Sequence, residues 1–380
     1  MSPLPASLPC VEIDLDAVCA NYRTIKAAAP GADVAPVVKC NGYGLGAAPV
    51  ARVLAAREGA RKFFVAYAGE GAELRKALAG TAPNAAIYVF NGPDEETLEA
   101  FAGFALTPVL NGRDQARLWA AARPGAPAAL HIDTGMNRLG APASELSDIA
   151  AMRGLKITLV LSHLACGADP GHEMNRRQHL AFERASAEFP DARRSLSASA
   201  GAFMGSIYHY DVVRPGIALY GAGPFDRPDP RLKPVATLSA PVVQIRRAGA
   251  GESAGYGATL HFRRDSRLAT VALGYGDGLP RAASEKGAAF LGGALCPIAG
   301  RVSMDLIILD VTNAPEPIEI GQRAEFFGRR FPIEEAARTA DTITYELLTA
   351  LGGRLYRQYL LDGRPIDADN IGGAAEGKRG

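Results

Sequence analysis

The stretch VVKCNGYGLG, Val37 to Gly46, ends an apolar, strand-like run in a lysine and follows it with three glycines and a tyrosine. A lysine is rarely fully buried unless it has a partner or a task. In a desolvated pocket its amine loses the proton more readily and forms a Schiff base with a carbonyl. The best-known such carbonyl is pyridoxal phosphate, whose aldehyde is held by a lysine and whose ring nitrogen meets a protein group. The glycines behind Lys39 let another group approach the backbone and let Tyr43 fold back over whatever the lysine holds. Taken alone, Lys39 also reads as a surface lysine at a strand end, so the argument needs further residues.

A cofactor of that kind requires donors for its phosphate and a partner for its pyridine nitrogen. RPGIALYG, Arg214 to Gly221, offers both. Arg214 is a donor only, and Gly216 and Ile217 follow a proline, exposing backbone N–H groups. Ser199, at the end of SLSAS, adds a hydroxyl. In a parallel barrel the loops after the seventh and eighth strands form the usual phosphate site. Arg214-Pro215-Gly216 is otherwise a tight turn.

These residues need an architecture that gathers them. Short β-branched runs recur as VAPVVK, FFVAYA, AAIYVF, ALTPVL, ALHIDT, ITLVLSHL, SLSAS and IALYG, with Ala-, Leu-, Arg- and Glu-rich helical segments such as APVARVLAAREGA and AELRKALAG among them. Strands alternating with helices predict a parallel sheet, and eight such units fit a (β/α)8 barrel. A doubly wound open sheet is the competitor, but no G-x-G-x-x-G opens the first helix. After Gly223 the proline-rich PFDRPDPRLKP leads into β-rich segments, including RLATVALGYGDGL and CPIAGRVSMDLIILDVT, with helix returning at IEEAARTA and ITYELLTAL. The fold class expected is therefore α/β: an N-terminal (β/α)8 TIM barrel over 1–224 and a mostly-β domain over 225–370. The strand-like CVEIDLDAV can pair with either domain. Residues 371–380, IGGAAEGKRG, are expected to form a disordered tail.

The whole chain bounds the partners. It has 380 residues, a formal net charge of +1 and 21% charged residues, so nothing electrostatic argues for nucleic acid or an acidic membrane surface. Cys10, Cys19, Cys40, Cys166 and Cys296 are scattered without metal-ligand spacing and read as reduced thiols, and no metal is expected. The first residues lack the pattern of a signal peptide, and no run of about 18 apolar residues is present. A soluble, cytoplasmic protein is expected.

VVKCNGYGLG, HIDTGMNRLG, RPGIALYG, AGYGAT, VALGYGDGLPR and GRVSMDL stand in order across both domains, and with them the sequence resembles the alanine racemase family of PLP-dependent barrel enzymes. The resemblance implies PLP held by Lys39 and contacted by Tyr43, His163, Ser199, Arg214, Gly216 and Ile217. It implies two bases, Lys39 for the D-face of Cα and Tyr256 for the L-face, with His163 and Arg214 in a network reaching the tyrosine. A phenol titrates near about pH 10, so such a base needs adjacent positive charge or hydrogen bonds. Arg138 and Met304 would contact the substrate carboxylate (Arg138 alternatively the cofactor's phenolic oxygen), and Tyr275 would narrow the entrance. Asp305 would orient nearby arginines or be an ordinary loop residue. Because an arginine cannot accept a proton from the pyridine nitrogen, that nitrogen should stay neutral and the ring be a weaker electron sink. In the family Tyr256 arrives from the second subunit of a head-to-tail homodimer, so a monomer should be nearly inactive.

The sequence departs from the family pattern in three places. Several members carry a carbamylated lysine seven residues before the substrate arginine; here His131 stands there, leaving a bound chloride or Asp133 to brace Arg138. An Asn-Ser pair reads Ala198-Ser199. The phosphate-contacting tyrosine near the C-terminus aligns with Gly353, with Tyr356 three residues on. A broad-specificity racemase for serine, lysine or arginine is the nearest alternative, although most such enzymes carry a signal peptide. A PLP decarboxylase of the same layout normally places an acid where Arg214 stands and a cysteine in the β domain, where this chain has Ser303. A lone-barrel PLP carrier would lack the β domain.

Overall fold

The structure, a computed structural model, describes residues 7–371. The chain divides into two compact units, one of residues 18–219 with 368–371, the other of residues 7–17 with 220–367. The first strand, β1 (Cys10–Asp14), belongs to the second unit.

The first unit is the barrel. Its strands are β2 (Asp33–Val34), β3 (Lys62–Val65), β4 (Ala86–Val89), β5 (Thr107–Leu110), β6 (Pro127–His131), β7 (Lys156–Leu161), β8 (Arg193–Ser195) and β9 (Val212–Val213). β3 to β8 pair in parallel in chain order, and β2 pairs in parallel with β9. A parallel bridge from Val37 to Phe64 continues the sheet between β2 and β3. Asp211 N–H donating to Arg194 O, and Arg214 N–H donating to Ser197 O, close it between β8 and β9. The strands end in fully buried runs such as Phe63-Phe64-Val65 and Ile87-Tyr88-Val89. Such runs are what a parallel strand covered on both faces requires, where alternation would leave polar groups inside. Each buried Phe, Ile or Val contributes roughly 1.5–3 kcal/mol through lost apolar exposure. Near the starts of the strands, the Asp33 carboxylate takes both Lys62 Nζ and an Arg193 guanidinium N–H, linking β2, β3 and β8.

The eighth strand is not where the sequence predicts it. Ile217–Tyr220 forms a 3₁₀ turn, and the strand is the two-residue β9 before it. Pro215 has no N–H for a ladder. The next free amides, of Gly216 and Ala218, donate instead to the Ser199 hydroxyl oxygen at 3.0 and 3.2 Å. Two related expectations shift the same way. Lys39 lies two residues beyond the Val37 bridge rather than ending a strand. Ser199 opens a short helix, Ser199–Ala202, four residues after β8 stops.

The second unit contains β10 (Ala236–Ala248), β11 (Ser253–Ala254), β12 (Leu260–His261), β13 (Ser266–Val271), β14 (Ala288–Leu291), β15 (Ala294–Pro297), β16 (Ile307–Asp310), β17 (Arg323–Phe327), β18 (Tyr356–Leu361) and β19 (Arg364–Ile366). Its main sheet runs β15-β14-β17-β10-β1-β18-β19, with β13 pairing β10 and β16. β1 lies antiparallel to β10 and parallel to β18. An irregularity between Val242 and Gln244 lets the long β10 give its first half to β1 and β17 and its second half to β13. Helices Ile333–Thr339 and Thr344–Thr349 match the two helical segments read in the sequence. Of the expected disordered tail, Ile371 is buried and the remaining residues lie outside those described. Among the described residues no helix is long and apolar enough to cross a membrane.

Candidate active site

Lys39 is followed by an unusual piece of backbone. Cys40, Asn41, Gly42, Tyr43 and Gly44 all have positive φ, at 52°, 50°, 62°, 55° and 82°. Glycine reaches this region without cost, but each L-residue in it is disfavoured by about 1–2 kcal/mol. The left-handed turn is therefore held by its bonds. Gly42 N–H donates to Val38 O, Gly44 N–H to Cys40 O and Gly46 N–H to Asn41 O, at 2.8–2.9 Å. Ala47 N–H donates to Asn41 Oδ1 at 3.1 Å, and Cys40 N–H to Glu70 Oε1 at 2.7 Å.

The turn brings Tyr43 to the exit of β9. A Cβ added to Gly216 would lie 2.0 Å from the Tyr43 hydroxyl oxygen, so only a residue without a side chain fits there. Ser199 Oγ already accepts from the Gly216 and Ala218 amides, which leaves its own proton to donate. Tyr43 and Ser199 thus bring two hydroxyls together beside Gly216 and the start of the Ile217 turn, groups of the kind an anionic phosphate ester needs.

Arg214 is only 2% exposed and heads the fully buried side chains by size among the described residues. Its Nη1 donates to the carbonyl and hydroxyl of Ser195, and its Nη2 to Ser162 O at 2.6 Å. These acceptors are neutral. Burial lowers its pKa to about 9, which leaves it a cation at neutral pH. Arg214 Cζ lies 6.0 Å from the Phe64 ring centroid. Phe64 stacks on Phe90, and Lys39 Nζ lies 5.9 Å from the Phe90 centroid. One aromatic wall therefore serves both cations.

The same charges act on two histidines. Burial first, then Arg214 and Arg138, push His163 down to about 3, so its imidazole is neutral at physiological pH. His131 is pushed down to about 4 by burial and Arg214, against the opposing pull of Asp133. Asn111 Nδ2 donates to Phe90 O and Val109 O, which turns Asn111 Oδ1 toward His131 Nδ1 at 3.0 Å. An amide oxygen only accepts, so the His131 proton sits on Nδ1. The Asp133 carboxylate accepts from the amides of Gly135, Met136 and Asn137 and so shapes the loop that presents the exposed Arg138.

Gln178, Glu70 and Asn111 are the residues that sequence reasoning missed. Gln178 is fully buried; its Nε2 donates to His163 O at 2.8 Å and Thr134 Oγ1 at 3.2 Å, while its Oε1 accepts from Ala165 N–H. It joins the ends of β6 and β7.

The second unit holds Tyr256, Tyr275 and Met304, which are 72%, 41% and 54% exposed. Tyr275 N–H donates to Ser303 O and Gly276 N–H to Met304 O, so their two loops form one assembly. Arg354 ties that assembly by donating to Asp277 at 3.0 Å and Asp305 at 2.7 Å, which gives Asp305 an arginine partner. The Tyr256 loop adjoins Arg301, whose backbone nitrogen would lie 3.2 Å from a Cβ on Gly255. Tyr275 and Met304 thus stand exposed on two loops bonded to each other, and Tyr256 stands exposed on a loop of its own. Tyr356, 37% exposed, begins β18, and Gly353 precedes it.

A lysine and a buried arginine at the C-terminal ends of parallel barrel strands, with a separate β unit offering an exposed tyrosine, define an enzyme of the barrel-plus-β class. Within that class, the family models for the alanine racemase N-terminal and C-terminal domains match residues 13–224 and 235–359. The chain belongs to the alanine racemase family. It is 44% identical over 354 residues to alanine racemase from Dinoroseobacter shibae, covering 92% of this chain and 97% of that protein. It is 46% identical over 361 residues to a catabolic alanine racemase from Mesorhizobium japonicum, covering 92% of each. The solved alanine racemase from Bartonella henselae, with covalently bound pyridoxal phosphate, superimposes with a TM-score of 0.87 at 37% identity, covering 93% of this chain and all of that one.

Proposed function

We propose that this chain interconverts L-alanine and D-alanine with PLP held covalently by Lys39 Nζ. The observation that carries the reading is the convergence of Lys39, the Tyr43–Gly216–Ser199 donor set and the buried Arg214 on one end of the barrel. When bound, PLP supplies a conjugated ring that drains negative charge from Cα of the amino acid. Tyr43, Ser199, Gly216 and Ile217 would hold its phosphate. Arg214 would donate to the pyridine nitrogen and, having no proton acceptor to offer, would keep that nitrogen unprotonated. Arg138 and the Met304 N–H orient the substrate carboxylate, and Tyr275 narrows the entrance to small side chains.

Once the substrate amine has displaced Lys39 Nζ from the cofactor, Tyr256 Oη would take the Cα proton from one face and the freed, protonated Lys39 Nζ would deliver a proton to the other; the reverse direction exchanges the roles. Neutral His163, beside the Arg214 cation, links that positive charge toward the phenol, favouring its anionic form. His131, fixed by Asn111, stands where other family members carry the modified lysine, and the charge that braces Arg138 comes from Asp133 or a bound chloride. Tyr256, Tyr275 and Met304 complete the barrel site of a second copy in a head-to-tail homodimer. The reaction runs in the cytoplasm and supplies D-alanine for peptidoglycan.

The test is chiral chromatography of L-alanine, L-serine and L-lysine incubated with the purified protein and PLP, beside Lys39→Ala. Alanine is expected to approach equal enantiomers while the others barely move, and Lys39→Ala to be inactive. Serine or lysine racemising as fast would give the function to a broad-specificity racemase, and release of carbon dioxide would overturn the two-base reading.

A further inference from the structure

We propose that Glu70 is a positioning residue that sets the left-handed turn behind Lys39, and through it the cofactor lysine. The inference rests on the reading of Lys39 as the cofactor's anchor. Glu70 sits in the first turn of the helix Ala68–Ala77 that follows β3. Its Oε2 accepts from Ala66 N–H at 2.8 Å and Tyr67 N–H at 3.3 Å, which caps its own helix. Capping accounts for that oxygen only. Oε1 reaches across to Cys40 N–H at 2.7 Å, the first residue of the turn and the neighbour of Lys39.

The turn needs such a pin. Cys40, Asn41 and Tyr43 are non-glycine residues at positive φ, a strain that persists only where surroundings over-determine it. On this side packing does not do so. A cavity of about 590 Å³ opens beside the turn, lined by Val38 and Asn41 of the lysine segment, Val65 of β3, and Arg52, Glu70 and Lys76. With open space there, the charge-assisted bond from Cys40 to Glu70 fixes where the turn begins.

Only a carboxylate of this length serves both sets of donors. A glutamine has one accepting oxygen, so one set faces an NH₂ group. An aspartate keeps the charge but is one methylene shorter and cannot span both. Glu70→Gln and Glu70→Asp are each expected to weaken PLP binding about tenfold, the effect of roughly 1.4 kcal/mol. In the apoprotein both are expected to speed hydrogen–deuterium exchange over residues 38–46, whereas loss of the cap alone speeds it only at 66–70.

The measurements are PLP dissociation constants from the absorbance of the bound cofactor, and exchange mass spectrometry on apoprotein. Weaker binding together with faster exchange over 38–46 in both variants supports the proposal. Wild-type PLP affinity with faster exchange confined to 66–70 overturns it and leaves Glu70 a helix cap. Wild-type affinity in Glu70→Asp alone overturns the geometric requirement in favour of bare charge. If Glu70→Gln does not fold, Glu70→Asp carries both readouts. If the unsubstituted protein bound no PLP at all, the reading of Lys39 would fail while the exchange pattern still reported on the pin.

Discussion

His131 shows how a single side chain can be assigned a state from its neighbours. Its folded pKa of about 4 and that of His163, about 3, lie below the ordinary histidine value near 6.5. Between these values and about 6.5 the unfolded chain binds more protons than the folded one, so folding stability rises with pH through that window and falls on acidification. Each histidine contributes up to about 1.4 kcal/mol per pH unit. His131→Gln is therefore expected to lose roughly 2 kcal/mol less than wild type between pH 7.5 and pH 5, read from urea unfolding at both values. Equal losses would mean that His131 titrates normally in the folded protein. Arg138, Tyr256 and Tyr275 entered through the family resemblance, whereas Lys39 and Arg214 were singled out in the sequence itself because the chemistry proposed for them admits few residue types. Glu70, Asn111 and Gln178 were not, because they act on backbone groups that any sequence supplies.

At the scale of elements, the sequence located five of the barrel's strands, met β2 and β8 only at their last residues, and misplaced the eighth strand altogether. IALYG is apolar throughout, and an apolar run of four has no periodicity to separate a buried strand from a buried 3₁₀ turn. What decides the matter is Ser199, 17 residues upstream of Gly216, whose hydroxyl collects the amides that a strand would have used. The left-handed turn was hidden for a related reason: its glycines signal positive φ, but nothing in Cys40 or Tyr43 does. Barrel closure, by contrast, rests on a short strand and a few ions. Burial raises the Asp33 pKa, but Lys62 and Arg193 outweigh it and hold the carboxyl below its usual range. The group thus stabilises the fold above the unfolded carboxylate value near 3.8, and that contribution disappears as pH falls through the folded value. Asp33 is half exposed, which limits the effect. Asp33→Asn is expected to cost about 1 kcal/mol and to lower the melting temperature by roughly 2–4 °C at pH 7. Calorimetry at pH 7 and pH 3 checks it, the gap between the two proteins closing at the lower pH.

For the whole molecule, a site completed by a second copy has an arithmetic signature. Mixing Lys39→Ala with Tyr256→Phe in equal amounts, with exchange of subunits, makes half the dimers mixed. Each mixed dimer has one site carrying both substitutions and one intact site, so about a quarter of wild-type activity should return. A site built within one chain would return none, and activity measured before and after mixing distinguishes the two. The sheet order carries a different consequence, for synthesis. Every barrel strand lies between residues 33 and 213, so the barrel's strands have all their partners once β9 has left the ribosome. β1 is made first, yet its neighbours are β10 and β18, the latter ending at Leu361. At translation speeds of roughly 5–20 residues per second, Val11 and Ile13 therefore wait tens of seconds for the strand that completes their sheet. During that interval Val11 and Ile13, which the complete fold buries fully, have no finished sheet to enter.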